Sequence, residues 1–301
     1  MSYHSIFLFL FLILILLFLV LIFVFVSRNS SQEEFVTALH KKKTLPSRYQ
    51  QRVPFLIVTT HEATGCEDNL RALIKLNPEY HVYFFDRAAR RAWLHDHFPQ
   101  EVVDAYDMII PGAYKADLFR YCFLFKKGGV YIDLNKKMIV PMRVFVHPRA
   151  TMGLVLNSNH KEDEPPKIIN GFMYIVQGHP LMKEMIAQCV RNIQKKEYGN
   201  SPLSVTGPYV LGAVFERLLG KSLYRLGTGV HYLRHEVIHV LLFKESVVIG
   251  DPVTGKDLIS FTGSRECLPS SAPVVQAYRV FWDERRIYKD PSTSSENFLA
   301  L

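Results

Sequence analysis

The sequence predicts an α/β fold built on a mainly parallel central sheet. Two observations carry that reading. From Val53 to Met108, apolar and β-branched runs of strand length alternate with stretches of helical periodicity. From Lys115 to Asn135, a helix, a glycine pair and an alternating strand follow one another directly. Strands that alternate with helices imply parallel neighbours covered on both faces. Ligands of such sheets sit beyond the carboxyl ends of the strands.

Ahead of this core, Ile6–Val26 is an unbroken run of 21 apolar residues, long enough to cross a hydrocarbon core as a helix. A cleaved signal peptide is the competing reading. Its apolar region is shorter and ends at small residues, and VFVSRNSS offers no such site. The run is therefore read as one membrane anchor, residues 6–26, behind a short leader, residues 1–5. Residues 27–52 are polar and rich in Lys, Ser and Gln, a stem. The globular domain runs over 53–290, with a tail at 291–301. The leader has no Lys or Arg, whereas Arg28 and Lys41–Lys43 follow the span. Charge alone thus turns the domain toward the cytosol.

The formal charge of +8 and the pI near 9.2 predict attraction to phosphates or to an anionic membrane surface. No basic block with interleaved aromatics occurs, so nucleic acid is not an expected partner. The doublets Arg90-Arg91, Lys136-Lys137, Lys195-Lys196 and Arg285-Arg286 read as solvated faces. Four scattered cysteines make neither a disulfide scaffold nor a zinc site, and Cys122, inside the central helix, reads as core.

Within the domain, FLIVTT (Phe55–Thr60) is a strand, Glu67–Leu76 a helix, and HVYFFD (His81–Asp86) a second strand. Arg87–His97 and Glu101–Met108 are helical by periodicity. Thr59, Thr60 and His61 then end one strand, Asp86 the next, and Asp133 and Asn135 a third, so all of them border one crevice. MIVP and MGLVLN follow as strands, and Asn159–Lys167 as a charged, proline-containing loop. Leu181, Met185, Ile186, Cys189, Val190 and Ile193 fall on one helical stripe, a core face. Gly207-Pro208 opens a helix, and VVIG, DPVTGK and DLISF make a hairpin.

The chemistry concentrates in KADLFRYCFLFKKGGVYIDLN, Lys115 to Asn135. Pro111-Gly112 opens its helix, Lys126 and Lys127 suit the negative helix end, and Gly128-Gly129 stops it. Asp117 and Arg120 share a helix face. In the strand that follows, Tyr131, Asp133 and Asn135 point one way and Val130, Ile132 and Leu134 the other. Asp133 and Asn135 can therefore reach one ion or phosphate. A plainer reading of the unit is an amphipathic helix packed on a core strand, with a structural Asp–Arg pair.

These residues resemble the signature of the D-x-D sugar-transferase family, which includes fungal Golgi mannosyltransferases and inositol-phosphoceramide mannosyltransferases. Its pattern is roughly A/S-D-L-x-R-Y, an apolar helix, then G-G-x-Y-x-D-x-D. Asp117, Leu118, Arg120, Tyr121, Gly128, Gly129, Tyr131 and Asp133 match it, and Asn135 stands where the family has Asp. VPFLIVTTHEATG resembles the family's opening segment, with His61 in place of its Trp. NPEYHVYFFDRAARRAWLHDHFP, IINGFMYIVQGHP and VTGPYVLG resemble further segments. Gln276, six residues before Trp282, stands where the family's closing His would be.

The resemblance implies a GT-A-like nucleotide-sugar-binding fold and transfer of a hexose, mannose among the candidates, to a glycan or glycolipid acceptor. It implies retention of anomeric configuration, and a lumenal Golgi or ER location for the domain behind an uncleaved signal anchor. Asp133, Asn135 and Arg120 would be the catalytic groups. Asp117, Arg120, Tyr131, Asp86, Thr60 and Asn170 would contact the donor. A divalent manganese or magnesium ion would be held by Asp133, Asn135 and Gln276. Hard cations take oxygen ligands, but two neutral amides replace charged or basic ligands here, so metal binding is expected to be weakened. For the same reason a non-catalytic sugar-nucleotide or glycan binder is a second reading. A third rests on HEVIH, His235 to His239, which as H-E-x-x-H on a helix would hold zinc with Glu236 as base. Its β-branched flanks favour a strand, and Glu245 and Glu266 are only loosely placed as further ligands.

Overall fold

The β-branched run after Val53 forms β1 (Leu56–Thr60), which ends the polar stretch before it and is buried from Ile57 onward. The computed structural model describes residues 51–60, 66–157, 167–233, 235–244, 248–260 and 278–289. The expected anchor, most of the stem, His61, Gln276, Glu245, Glu266 and the tail lie outside them. No helix among the described residues is long and apolar enough to cross a membrane. All of them fall in one unit, residues 44–301.

Helix α1 (Glu67–Leu76) carries the chain over to β2 (His81–Phe85), which lies parallel to β1 with Thr60 opposite Phe85. Then come α2 (Arg87–His97), α3 (Gln100–Met108) and α4 (Gly112–Lys127). These agree with the boundaries expected from periodicity to within a residue or so. Helix α4 is buried from Tyr114 to Leu124 without a break, so it is an internal helix and not an amphipathic one. It ends at Gly128 and Gly129, whose φ angles are +67° and +101°. A Cβ at Gly129 would meet the Leu56 carbonyl oxygen at 2.6 Å. The glycine pair therefore lets the chain reverse and press directly against β1.

That junction delivers β3 (Gly129–Ile132), parallel to β1, with Val58 opposite Tyr131. Beyond it lie β4 (Lys137–Met138), β5 (Met152–Asn157), β6 (Ile168–Ile175) and α5 (Pro180–Gln194). The chain closes with α6 (Pro208–Leu219), α7 (Leu223–Leu226), β7 (Gly229–Tyr232), β8 (Val237–Lys244), β9 (Val248–Gly250), β10 (Asp257–Ser260) and α8 (Tyr278–Asp283). The stripe predicted on α5 is buried as expected, and α6 begins at Pro208.

The ten strands among the described residues form one sheet in the order β2-β1-β3-β6-β5-β8-β9-β10-β4, with β7 beside β8. The expectation of a mainly parallel sheet is corrected here, because the sheet is mixed. Only β1–β2, β1–β3 and β5–β8 are parallel, and the other six pairings are antiparallel. The physical reason is connectivity. Before β3 each strand returns through a helix, which makes parallel neighbours. After β3 several strands pair with the one next in sequence, and short connections make antiparallel pairs.

Candidate functional site

The parallel half of the sheet brings the ends of β1 and β3 together, and β6 runs antiparallel beside β3. Register places Gly171 opposite Asp133, whose amide donates to the Gly171 carbonyl at 2.9 Å. Asn170, on the same strand, is thereby carried over α4.

Asp117 and Arg120 meet as their spacing predicts, with Nη2 3.0 Å from Asp117 Oδ1. The guanidinium also donates to the Asn170 and Ala116 carbonyls. It lies over the Tyr131 ring, Cζ 4.2 Å from the centroid, and its Nη2 is 3.5 Å from Asp133 Oδ1. A planar fork serves several acceptors at once, which an ammonium group does not. Asp117 accepts from Asn170 Nδ2 and from Thr206 Oγ1, each at 2.9 Å. Asn170 Nδ2 donates also to the Tyr121 hydroxyl, which donates to the Thr206 carbonyl. Burial pushes the Asp117 pKa up, while Arg120, Thr206 and Asn170 hold it back.

Tyr131 donates to Asp133 Oδ1 at 2.8 Å, and its oxygen is 3.3 Å from Thr60 Oγ1. The side chains differ sharply in depth. Arg120 is 5% exposed and Asp117 11%, against 30% for Asp133. Asp133 thus stands at the mouth, with Arg120, Tyr131, Asp117 and Asn170 beneath it.

The expected alternation through Asn135 does not hold. Strand β3 stops at Ile132, and Lys136 N donates to the Asp133 carbonyl at 3.0 Å, closing a turn. Asp133 and Asn135 are therefore set by a turn, not by one strand face. Asn135 Oδ1 is buried with no hydrogen-bond partner among the described residues. Such an acceptor costs roughly 1–3 kcal/mol when unsatisfied, so a ligand group with a hydrogen to donate fits there. The turn also folds the Lys136 side chain inward, against the expectation of a solvated doublet. A Cβ at Gly171 would stand 2.5 Å from Asp133 Oδ2 and 3.7 Å from Lys136 Cε. The missing side chain at Gly171 is what lets both approach. Burial lowers the Lys136 pKa, with Asp133 opposing and Arg120 adding to the effect.

Of the other expected contacts, Thr60 joins the cluster through Tyr131. Asp86 caps α2, accepting from Ala89 N at 2.8 Å, and Thr59 is fully buried. Asn170 lies within β6 and reaches the cluster from there. Three members have no site role from the sequence alone: Lys136, Thr206 and Tyr121. The T-G-P segment and the R-Y pair were signals for the last two. Nothing in a lysine doublet marks the one that folds in.

The donor set does not fit a hard divalent cation. Among the described residues, the one carboxylate at the mouth is already faced by Arg120 and Lys136, and the neighbouring oxygen belongs to a neutral amide. Like unit charges about 4 Å apart repel by roughly 4 kcal/mol at the effective dielectric of a partly exposed site, and a divalent ion doubles that. Among the described residues no three His, Cys, Asp or Glu side chains converge as a metal would need. The zinc reading of HEVIH is corrected too. Val237–Lys244 is a strand, His235 is exposed, and His239 is buried between Tyr174 and Asp251. A cavity of about 430 Å³ beside His179 and Glu236 follows the other end of β6.

Residues 64–149 match a family model described as the glycosyltransferase sugar-binding region containing the DXD motif. The chain is 25% identical over 171 residues to an initiation-specific alpha-1,6-mannosyltransferase of Candida albicans, an alignment covering 46% of this chain and 44% of that protein. It is 24% identical over 156 residues to inositol phosphoceramide mannosyltransferase 3 of Schizosaccharomyces pombe, covering 52% and 40%. The alignments span less than half the length of these relatives. Among solved structures, the PaToxG glycosyltransferase is similar at a TM-score of 0.44 and 15% identity, over 65% of this chain and 80% of that one.

Proposed function

We propose a reaction for this chain, a mannosyltransferase-like member of the glycosyltransferase family that carries the DXD sugar-binding region: it transfers a hexose from a nucleotide-sugar to a glycan or glycolipid acceptor. The observation that carries the proposal is the charged network at the joined ends of β1, β3 and β6. It lies on and around the matched segment, at the position where α/β sheets seat their ligands.

Each residue has a part in that reading, within a fold we take to be GT-A-like. Breaking the bond between the anomeric carbon and the phosphate leaves negative charge on the diphosphate and positive character on the sugar. Asp133, at the mouth, faces the sugar. Arg120 presents fixed positive charge, held in place by Asp117 and the Tyr131 ring. Asn170, Thr206 and Tyr121 fix Asp117, so these act by positioning. Asn135 offers its unpartnered oxygen to a donor hydroxyl. No separate general base is assigned, as suits retention. No step is routed through a metal ion, because the residues present do not fit one.

The test is a screen of nucleotide-sugars with the full chain, reading release of nucleoside diphosphate with and without acceptor. Release with at least one donor is expected, falling by about 10²-fold or more in Arg120→Lys, a loss of the size found for preorganised electrostatic groups. A folded chain that binds a donor and never releases diphosphate would be the non-catalytic binder, which the lone mouth carboxylate favours as second reading.

We further propose that residues 6–26 anchor the chain, with 53–290 as a lumenal catalytic domain. Cys66 is disulfide-bonded, and structural disulfides belong to oxidising compartments such as the ER lumen.

A further inference from the structure

We infer that Lys136, acting with Arg120, neutralises the departing nucleoside diphosphate, so that this site binds its donor without a divalent cation. The inference rests on the glycosyl-transfer reading and names how that same site handles charge.

The turn from Asp133 to Lys136 is closed by a backbone hydrogen bond of 3.0 Å, so the lysine follows the strand end closely. Its Cε and the Asp133 carboxylate approach the same point above Gly171, at 3.7 and 2.5 Å. Arg120 Nη2 stands 3.5 Å from the other Asp133 oxygen. One carboxylate at the mouth is therefore bracketed by two cations. A metal-dependent site has the opposite arrangement, several anionic oxygens around one ion. Here the positive charge is already built in. The next side chain, Asn135, adds a neutral oxygen buried without a partner, which suits a hydroxyl of the donor.

The step balances without an ion. The bond from the anomeric carbon to the phosphate oxygen breaks, and its electron pair leaves on that oxygen. The acceptor hydroxyl oxygen forms the new bond to the same carbon. Its proton passes to the departing phosphate, which Lys136 and Arg120 hold by charge-assisted hydrogen bonds.

Calorimetric titration of the full chain with GDP and with UDP tests this, first in EDTA and then in manganese. Binding of at least one diphosphate in EDTA is expected, within about threefold of its affinity in manganese. Lys136→Met should weaken it at least tenfold in EDTA, while Lys136→Arg keeps most of it. Asn135→Asp adds a second carboxylate and should bring a manganese-dependent rise in Tm that the unaltered chain lacks. Binding that appears only with manganese, or a Lys136→Met chain that binds as tightly in EDTA, overturns the inference and leaves sugar transfer standing. Failure of both diphosphates to bind under either condition overturns both readings. If circular dichroism shows Lys136→Met unfolded, the unaltered chain in EDTA and Lys136→Arg decide the matter.

Discussion

Buried charge in this protein is of two kinds, and Lys115 and Asp117, two residues apart on α4, illustrate them. Asp117 has Arg120, Thr206 and Asn170 as partners. Lys115 donates to the Tyr106 carbonyl, with its Nζ 4.4 Å from the Tyr106 centroid, and has no carboxylate hydrogen-bonded to it among the described residues. Burial lowers the Lys115 pKa from 10.5 to about 7, and the Lys289 charge adds to this. The sign follows from proton counting. Between about pH 7 and 10.5 the unfolded chain holds a proton on Lys115 that the folded chain has lost, so stability rises with pH across that window. Below it the folded state bears the full penalty of a buried cation. Each pH unit between the two values is worth about 1.4 kcal/mol, so the whole effect is of order a few kcal/mol. Lys115→Met removes the penalty. Urea unfolding should find the variant more stable than the parent at pH 7, with the gap closing by pH 10. Parallel stability curves for the two proteins would sink this account.

At the scale of elements, the Gly128-Gly129 junction decides whether α4 and β3 can be neighbours at all. Gly129→Ala forces a side chain into φ +101° and places its Cβ 2.6 Å from the Leu56 carbonyl. Backbone strain alone costs roughly 1–3 kcal/mol, and the clash adds to it. Chemical denaturation should show a drop at or above the top of that range, and a drop under 1 kcal/mol would mean that the junction relaxes. This junction was legible in the sequence, because a helix stop and a strand start are local signals. So were α1, α2, α5 and the β9–β10 hairpin. The turn at Asp133–Lys136 was not, since Asp133, Leu134 and Asn135 read equally well as three more residues of alternating strand. Nor were the antiparallel partners of the second half. The pairing of β4 with β10 joins Met138 to Ile259, and no local pattern specifies so distant a partner. Within the candidate site the same divide holds. Asp117 and Arg120 were found through i, i+3 geometry, whereas Thr206 reaches Asp117 from 89 residues away.

For the whole molecule, the proposed anchor at residues 6–26 would put the domain on one side of a membrane, and two physical arguments about which side conflict. The cationic residues after the apolar run turn the domain toward the cytosol. The Cys66 disulfide points to an oxidising lumen. The charge argument rests on Arg28 and on Lys41–Lys43, which stand 15 to 17 residues beyond Val26, at the edge of the reach of the rule. A disulfide is a chemical state of the folded domain itself, so we give it the greater weight. Cysteine labelling turns this into a measurement. Cys122 and Cys189 are free and fully buried, and burial holds both thiols well above their usual pKa. In the native protein they should resist alkylation, because the thiolate is the reactive form. In denaturant without reductant, two of the four cysteines should take the label, and after reduction all four. Protein recovered from intact microsomes should show the same pattern and resist added protease. Four labels without reduction, together with digestion in intact vesicles, would place the domain in the cytosol. The acceptor would then have to be sought on the cytosolic face, and the resemblance to lumenal transferases would describe the chemistry of the site and not its address.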